Sequence, residues 1–337
     1  MMSAIGDRSG TPPTPTPTPT PHAVLVDTSA RPVSAGLAPA AKAPRRRHRT
    51  MLPLVLLTPA VVIFLLFTIA PGVYAIYLSF LKDHVGGGLL GDENPTQVFA
   101  GFENYQAAFA DPAFWQSIVR MLIIAVIGVP ATIAFSTLFA LCLDAKRARL
   151  TGFSRLAIFL PYAVPGVVAT LLWGFMYLPA TSPIGGDTFD YFGSHAVFFS
   201  VANVAVWGVL GFNMVVIYTS LRGLPRELYE AAELDGASEL QIALRVKLPM
   251  LAPTLTLVTI FSLVGALQLF NEPNTLKPIT NAISSNWVPL MRVYTDAFVD
   301  NEIYKAAATS FVLIILTVTA TVFANAVLRR ISGRSER

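Results

Sequence analysis

Six apolar runs, at about Leu52 to Phe80, Ser117 to Leu143, Phe153 to Leu178, Val197 to Leu221, Met250 to Asn271 and Ala306 to Leu328, limit what this 337-residue chain can become. A bilayer core about 30 Å thick is crossed by roughly 20 apolar residues in a helix, and each run is long enough. In lipid, a loop or an open strand leaves backbone amides and carbonyls unpaired, so a crossing segment of this kind must be helical. The expected fold class is therefore all-α, a polytopic membrane bundle of six transmembrane helices. The chain is 54% hydrophobic and 13% charged, which is more apolar surface than a soluble core of this length hides. Its single cysteine, Cys142, lies inside an apolar run and has no intrachain partner for a disulfide.

Residues 1–48 are rich in Pro, Thr and Ala, with the repeat TPTPTPTP from Thr14 to Pro21 and no periodic apolar face. This composition predicts a disordered, polyproline-like tail. The first apolar run is too long and too interrupted by proline for a cleaved signal, so it is expected to be a retained span. The spanning domain is placed at 49–330, followed by a short tail at 331–337. With the N-terminus inside, 19 of the 24 Lys and Arg residues fall on the inner side, and Arg45, Arg46, Arg47 and Arg49 stand directly before the first span. The positive-inside rule then predicts a cell-membrane protein in contact with lipid, with both termini cytoplasmic. The basic residues form no single stripe, so no nucleic-acid partner is expected. Aromatic residues in the two longest outer loops, Tyr105, Phe114, Trp115 and Trp287, are read as interface markers rather than a ligand cage.

The longest inner loop, residues 222–249, is also the most charged. It reads as two short helices. One runs from Pro225 to Leu234 and stops at Gly236; the other is capped near Ser238 and runs to Lys247 before Leu248 and Pro249 return to the membrane. Within it stand Glu230-Ala231-Ala232, then Gly236, then Val246-Lys247-Leu248-Pro249. This resembles the cytoplasmic signature of the binding-protein-dependent inner-membrane permeases of ABC importers: Glu-Ala-Ala, three residues, Gly, nine residues, then Ile-x-Leu-Pro, with Val246 here in place of Ile. The resemblance covers roughly Arg49 to Arg330 and implies a type I importer permease fold. It also implies that Glu230, Ala231, Ala232, Asp235, Gly236, Leu248 and Pro249 belong to a loop that docks on an ATPase.

The narrower similarity is to the sugar branch. Phe159 to Tyr177, FLPYAVPGVVATLLWGFMY, resembles the third-span segment of maltose and glycerol-phosphate type permeases. Phe261 to Pro273, FSLVGALQLFNEP, is similar to permeases for lactose, cellobiose and related disaccharides. The resemblance implies a second homologous permease, two ATPase subunits, an extracytoplasmic solute-binding protein and a sugar cargo. By similarity to the maltose permease, Gly208, Val209 and Phe212 on the fourth span, and Gly265, Gln268, Leu269 and Glu272 on the fifth, match solute-contacting positions. Sugars are held by hydroxyl hydrogen bonds and ring stacking, so Asn213 and Asn271 join them as candidate pathway residues. Gln268 and Glu272, four apart, are expected to share one helix face. Prolines at 130, 161 and 165 interrupt the second and third spans and are candidate hinges.

No G-x-x-x-x-G-K-[ST] loop is present, so no ATP or magnesium is expected on this chain, and both are assigned to the partner ATPase. His22, His48, His84 and His195 are isolated in the tail or loops, without ligand spacing or a carboxylate-rich helix, so neither a metal site nor a catalytic residue is expected. The alternative is an ion-coupled secondary transporter or channel, and a non-transporting scaffold is a third reading. The span interiors carry no Asp, Glu, Lys, Arg or His, which speaks against ion coupling because such carriers place ionisable groups at mid-membrane.

Overall fold

The computed structural model describes residues 52–84, 96–146, 148–183, 185 and 188–332. The Pro/Thr-rich tail, the arginines before the first span and residues 333–337 lie outside the described residues. The chain divides into two units, Met1–Leu56 and Leu57–Arg337. Of the first, only the opening residues of a helix, α1 (Leu52–Phe64), are described. A π turn (Leu65–Ile69) joins α1 to α2 (Ala70–Leu78), and Val55–Leu78 is long and apolar enough to cross a membrane.

Beyond this span the chain forms an antiparallel hairpin, β1 (Leu81–His84) with β2 (Thr96–Phe99), in register Leu81 opposite Phe99. The hairpin is a small departure from an all-α chain. It is pinned where α3 (Glu103–Ala110) brings Asn104, whose amide donates to the carbonyls of Ser79 and Leu81 at 2.9 and 2.7 Å.

The second span, α4 (Pro112–Asp144), opens with one first-turn amide, that of Ala113, donating to the Asp111 carboxylate at 2.8 Å, and with Pro112, which has no amide to satisfy. It runs unbroken past Pro130, contrary to the expected interruption. The third run behaves otherwise. It forms α5 (Thr151–Ala163) and α6 (Gly166–Tyr177), bent by 96°. Pro165 disfavours the helical conformation at Val164, which is extended at φ −78°, ψ 130°, and the helix ends there. Pro161 is accommodated within α5.

The fourth span is one unbroken helix, α7 (Ala196–Arg222). The 222–249 loop follows as α8 (Glu227–Leu234), α9 (Glu239–Ile242), a π turn (Ala243–Lys247) and α10 (Leu248–Met250). At Leu251 the chain turns by 70° into α11 (Ala252–Leu267). The fifth helix thus stops four residues short of the expected Asn271, and a separate α12 (Asn271–Leu276) begins after Phe270, whose φ of −145° breaks the run. Pro273 suits the restart. Inside a continuous helix it would leave the Leu269 carbonyl unpaired and crowd it, whereas in the first turn of a new helix its missing amide costs nothing. An amphipathic helix, α13 (Pro289–Phe298), and the last span, α14 (Ile303–Ser332), complete the fold. The described residues therefore hold four helices long and apolar enough to cross a membrane, or up to six when each bent pair is taken as one span.

Two apolar clusters hold the bundle together. One stacks Phe114, Ile118, Met121 and Ile124 of α4 on Val197 and Val201 of α7, with Trp287, Val288 and Met291 beside them. The other, toward the end that carries the 222–249 loop, joins Ala140 and Leu143 to Met214, Ile217 and Leu221, with Leu251 and Val258 from the fifth helix. Between helices in lipid, close packing and side-chain hydrogen bonds replace the hydrophobic drive that operates in water. Ser136 accordingly donates to the Leu210 carbonyl at 3.1 Å, and Thr254 to Ser220 Oγ at 2.9 Å. Of the aromatics expected to mark the interface, Tyr105, Phe114 and Trp287 are buried packing residues, and Trp115 alone is exposed.

Candidate functional site

The 222–249 segment projects from the bundle as a helix–turn–helix. Its α8 is closed by a Schellman arrangement: the Gly236 amide donates to the Glu233 carbonyl at 2.9 Å and the Ala237 amide to the Ala232 carbonyl at 3.0 Å, with Gly236 at φ +83°. The following helix is fixed by a reciprocal cap in which Ser238 Oγ accepts from the Gln241 amide at 3.3 Å and Gln241 Oε1 accepts from the Ser238 amide at 2.8 Å. The helix continues through Leu248 and Pro249 to Met250, so the expected end at Lys247 is overrun by three residues.

Of the loop residues singled out in the sequence, Glu230, Ala231, Asp235, Gly236 and Pro249 are exposed, and Ala232 and Leu248 are half-buried. Sequence reasoning missed the apolar residues beside them. Leu234 is 89% exposed, and Leu228, Leu240 and Leu244 are also exposed. Bare leucines among charges are a poor face for water. A signal was present in the sequence, since Leu234 lies four residues after Glu230 and hence on the same side of α8.

The loop does not lie flush on the bundle. A cavity of about 800 Å³ separates them, lined by Leu143 and Asp144 of α4, Leu221 and Arg222 of α7, and Tyr229, Glu230 and Lys247 of the loop, among others. Across it, Lys247 Nζ meets Asp144 Oδ2 at 2.5 Å, with both side chains largely buried, and lies 4.9 Å from the centroid of the Tyr229 ring. Burial pushes the Tyr229 phenol above its ordinary pKa, and the Asp144 charge adds to that. Lys146 pairs with Glu233 at 2.5 Å on the exposed side.

The candidate pathway residues divide. On α7, Val209 and Phe212 are exposed and Gly208 is half-buried, and Phe212 stacks on Tyr162 of α5 with ring centroids 5.0 Å apart. Tyr162 is itself exposed, stands two residues before the break at Val164, and tilts against Phe159 at 5.5 Å. Nothing local in the sequence marks it, since Pro161 and Pro165 around it point to a hinge. Asn213 is buried and directs its amide at Ser262 Oγ of α11, 3.4 Å away, which is a contact between helices and not an open pathway group. Leu269 is buried as well, while Gly265, Gln268 and Asn271 are exposed and Glu272 is half-buried. The expected shared face of Gln268 and Glu272 is not formed. Gln268 ends α11 with its amide on the Val264 and Gly265 carbonyls, and Glu272 belongs to α12, beyond the break at Phe270.

Comparison with known proteins meets this geometry at the same residues. The family described as the binding-protein-dependent transport system inner membrane component matches residues 107–334, which include every pathway candidate and the whole 222–249 loop. The probable ABC transporter permease protein YurN of Bacillus subtilis is 30% identical over 278 residues, covering 79% of this chain and 92% of that protein. The diacetylchitobiose uptake system permease protein NgcF of Streptomyces coelicolor is 28% identical over 318 residues, covering 87% of each. Among solved structures, a bacterial ABC transporter for import of the acidic polysaccharide alginate has a chain that aligns with a TM-score of 0.70 at 21% identity, covering 84% of this chain and 96% of that one.

The bundle, with a bent third span, a bent fifth span and a projecting helix–turn–helix between the fourth and fifth, has the type I importer permease fold, and the family match makes it a multi-pass permease. The chain belongs to the inner-membrane component family of binding-protein-dependent transport systems. It is a permease subunit of an ABC importer and not an enzyme, with ATP hydrolysis carried by a separate ATPase.

Proposed function

We propose that the chain forms, with a second homologous permease, the membrane pathway for a disaccharide or oligosaccharide delivered by an extracytoplasmic solute-binding protein. Two ATPase subunits, which carry the ATP and magnesium, grip the 222–249 loops on the cytoplasmic side, where both termini also lie. The observation that carries this reading is the exposed face of α8, in which Leu234 stands bare beside Glu230 and Ala231. A carbohydrate cargo is supported by the substrates of two similar proteins, diacetylchitobiose and alginate, and by the exposed Tyr162 and Phe212 rings at the break of the third span. Aromatic faces of this kind suit the apolar side of a sugar ring.

The test is uptake of labelled disaccharides into proteoliposomes that contain both permeases, the ATPase and the binding protein. Uptake is expected to stop when ATP is removed and to survive collapse of proton and sodium gradients. Uptake that persists without ATP and fails with the gradient would establish an ion-coupled carrier instead. Two substitutions sharpen the reading. Leu234→Asp sets a charge in the apolar docking patch and is expected to reduce co-purification of the ATPase at least tenfold with membrane insertion unchanged; full retention of the ATPase would remove Leu234 from the contact. Phe212→Ala deletes one stacking partner, about 1 kcal/mol, and is expected to raise the KM for uptake about fivefold at similar maximal rate. An unchanged KM would take the ring out of the pathway.

A further inference from the structure

Asp144 is the last residue of α4, so its carboxylate stands at the negative end of a 33-residue helix, where a negative charge is disfavoured and a cation favoured. The carboxylate is nonetheless largely buried there, and Lys247, 103 residues later, supplies the cation at 2.5 Å. Lys247 closes the π turn Ala243–Lys247, and such widened turns often mark places where a helix leaves its regular register for a particular contact. The same ammonium lies over the Tyr229 ring of α8, so a single cation touches the second span and both arms of the loop. Among the described residues one other ion pair, Lys146–Glu233, joins the loop to the residues that end the second span. α8 packs chiefly on α9, and the cavity keeps it off the bundle. The Lys146–Glu233 pair is exposed to solvent, and ion pairs of that kind contribute little.

We propose that Asp144 is the positioning residue that fixes the 222–249 loop to the second span through Lys247 and the Tyr229 ring, so that the loop and α4 move as one body. The inference rests on the proposal that this loop docks on a separate ATPase. A loop gripped by an ATPase but loose from α4 turns without moving the pathway, so the consequence of losing Asp144 is uncoupling rather than loss of the ATPase. Loss of either partner strands the other charge in a largely buried place, whereas exchanging the two charges keeps the pair.

The reconstituted four-component complex tests this by the ratio of solute imported to ATP hydrolysed. Asp144→Asn and Lys247→Gln are each expected to keep ATPase co-purification and basal hydrolysis within twofold of the unsubstituted complex, and to lower solute per ATP at least tenfold. The exchanged double variant, Asp144→Lys with Lys247→Asp, is expected to return that ratio to within about threefold. Single variants with an unchanged ratio overturn the proposal, as do single variants that lose the ATPase from the complex and are not rescued by the exchange, since their defect would be one of folding or docking. Gly236→Val measured alongside separates the two levels. If it impairs uptake while the Asp144 and Lys247 variants behave normally, the brace is wrong and docking stands; if it too transports normally, the docking proposal fails and the brace fails with it.

Discussion

Gly236→Val is expected to lower ATP-driven uptake at least tenfold while the protein still inserts and still accepts its binding protein, whereas Gly236→Asn is expected to retain most of the activity. The difference is one of backbone conformation alone. A Cβ built on Gly236 meets no heavy atom within 4 Å, so no clash opposes a larger side chain. The φ of +83° does, because an L-residue held in the left-handed region loses roughly 1–2 kcal/mol, with a β-branched residue at the high end and asparagine at the low end. Valine would relax toward negative φ, break the bonds from the Gly236 and Ala237 amides to Glu233 and Ala232, and redirect α9 relative to α8. Leu234 and Glu230 of α8 would then no longer stand in one geometry with the exposed Leu240 and Leu244 of the second arm. Glu230→Gln supplies the complementary result. Glu230 is exposed and forms no ion pair among the described residues, so its loss leaves stability within about 0.5 kcal/mol while removing a charge available to a partner. Uptake by Gly236→Val at the unsubstituted rate, measured in proteoliposomes at matched protein content, would remove the loop from the coupling step.

This loop was legible in the sequence because its conformation is written locally. Gly236 stops one helix, and Ser238 with Gln241 starts the next, all within six residues. The apolar runs were legible for the same reason, since length and hydropathy need no knowledge of neighbours. What escaped depends on contacts between distant residues or on how a helix ends. Pro130 and Pro165 look alike in the sequence, yet α4 carries its proline unbroken and the third span breaks at Val164. The spacing of Gln268 and Glu272 promised a shared face, but a period of four means nothing across the restart before Pro273. Asp144 and Lys247 are 103 residues apart, and Tyr162 and Phe212 are 50 positions apart. No local pattern joins either pair. The first pair meets because the loop folds back to the end of α4, and the second because α5 packs on α7, which makes the crossing of α5 on α7 the determinant of the candidate pathway.

That crossing predicts opposite outcomes for two glycines three residues apart. Gly208→Ala is expected to leave the thermal stability of the detergent-solubilised complex unchanged, and Gly211→Ala to lower it markedly, with a destabilisation of about 1–3 kcal/mol or more. A Cβ on Gly208 would enter open space, with nothing within 4 Å. One on Gly211 would lie 2.3 Å from the Ile158 carbonyl oxygen and 2.7 Å from the Phe159 Cα. These are backbone atoms of α5, which cannot turn aside as a side-chain tip can, so relief requires the whole helix to move. Small residues admit such close approaches between helices in lipid, where packing supplies much of the cohesion. The displacement would also part Tyr162 from Phe212, the residue next to Gly211, so Gly211→Ala is expected to raise the KM for uptake in whatever fraction of the protein survives. Thermal unfolding monitored by size-exclusion chromatography, with uptake measured on the same preparations, distinguishes the two sites. Equal stability of the two variants would mean that α5 does not cross α7 at Gly211, and the aromatic pair at the break of the third span would lose its structural basis.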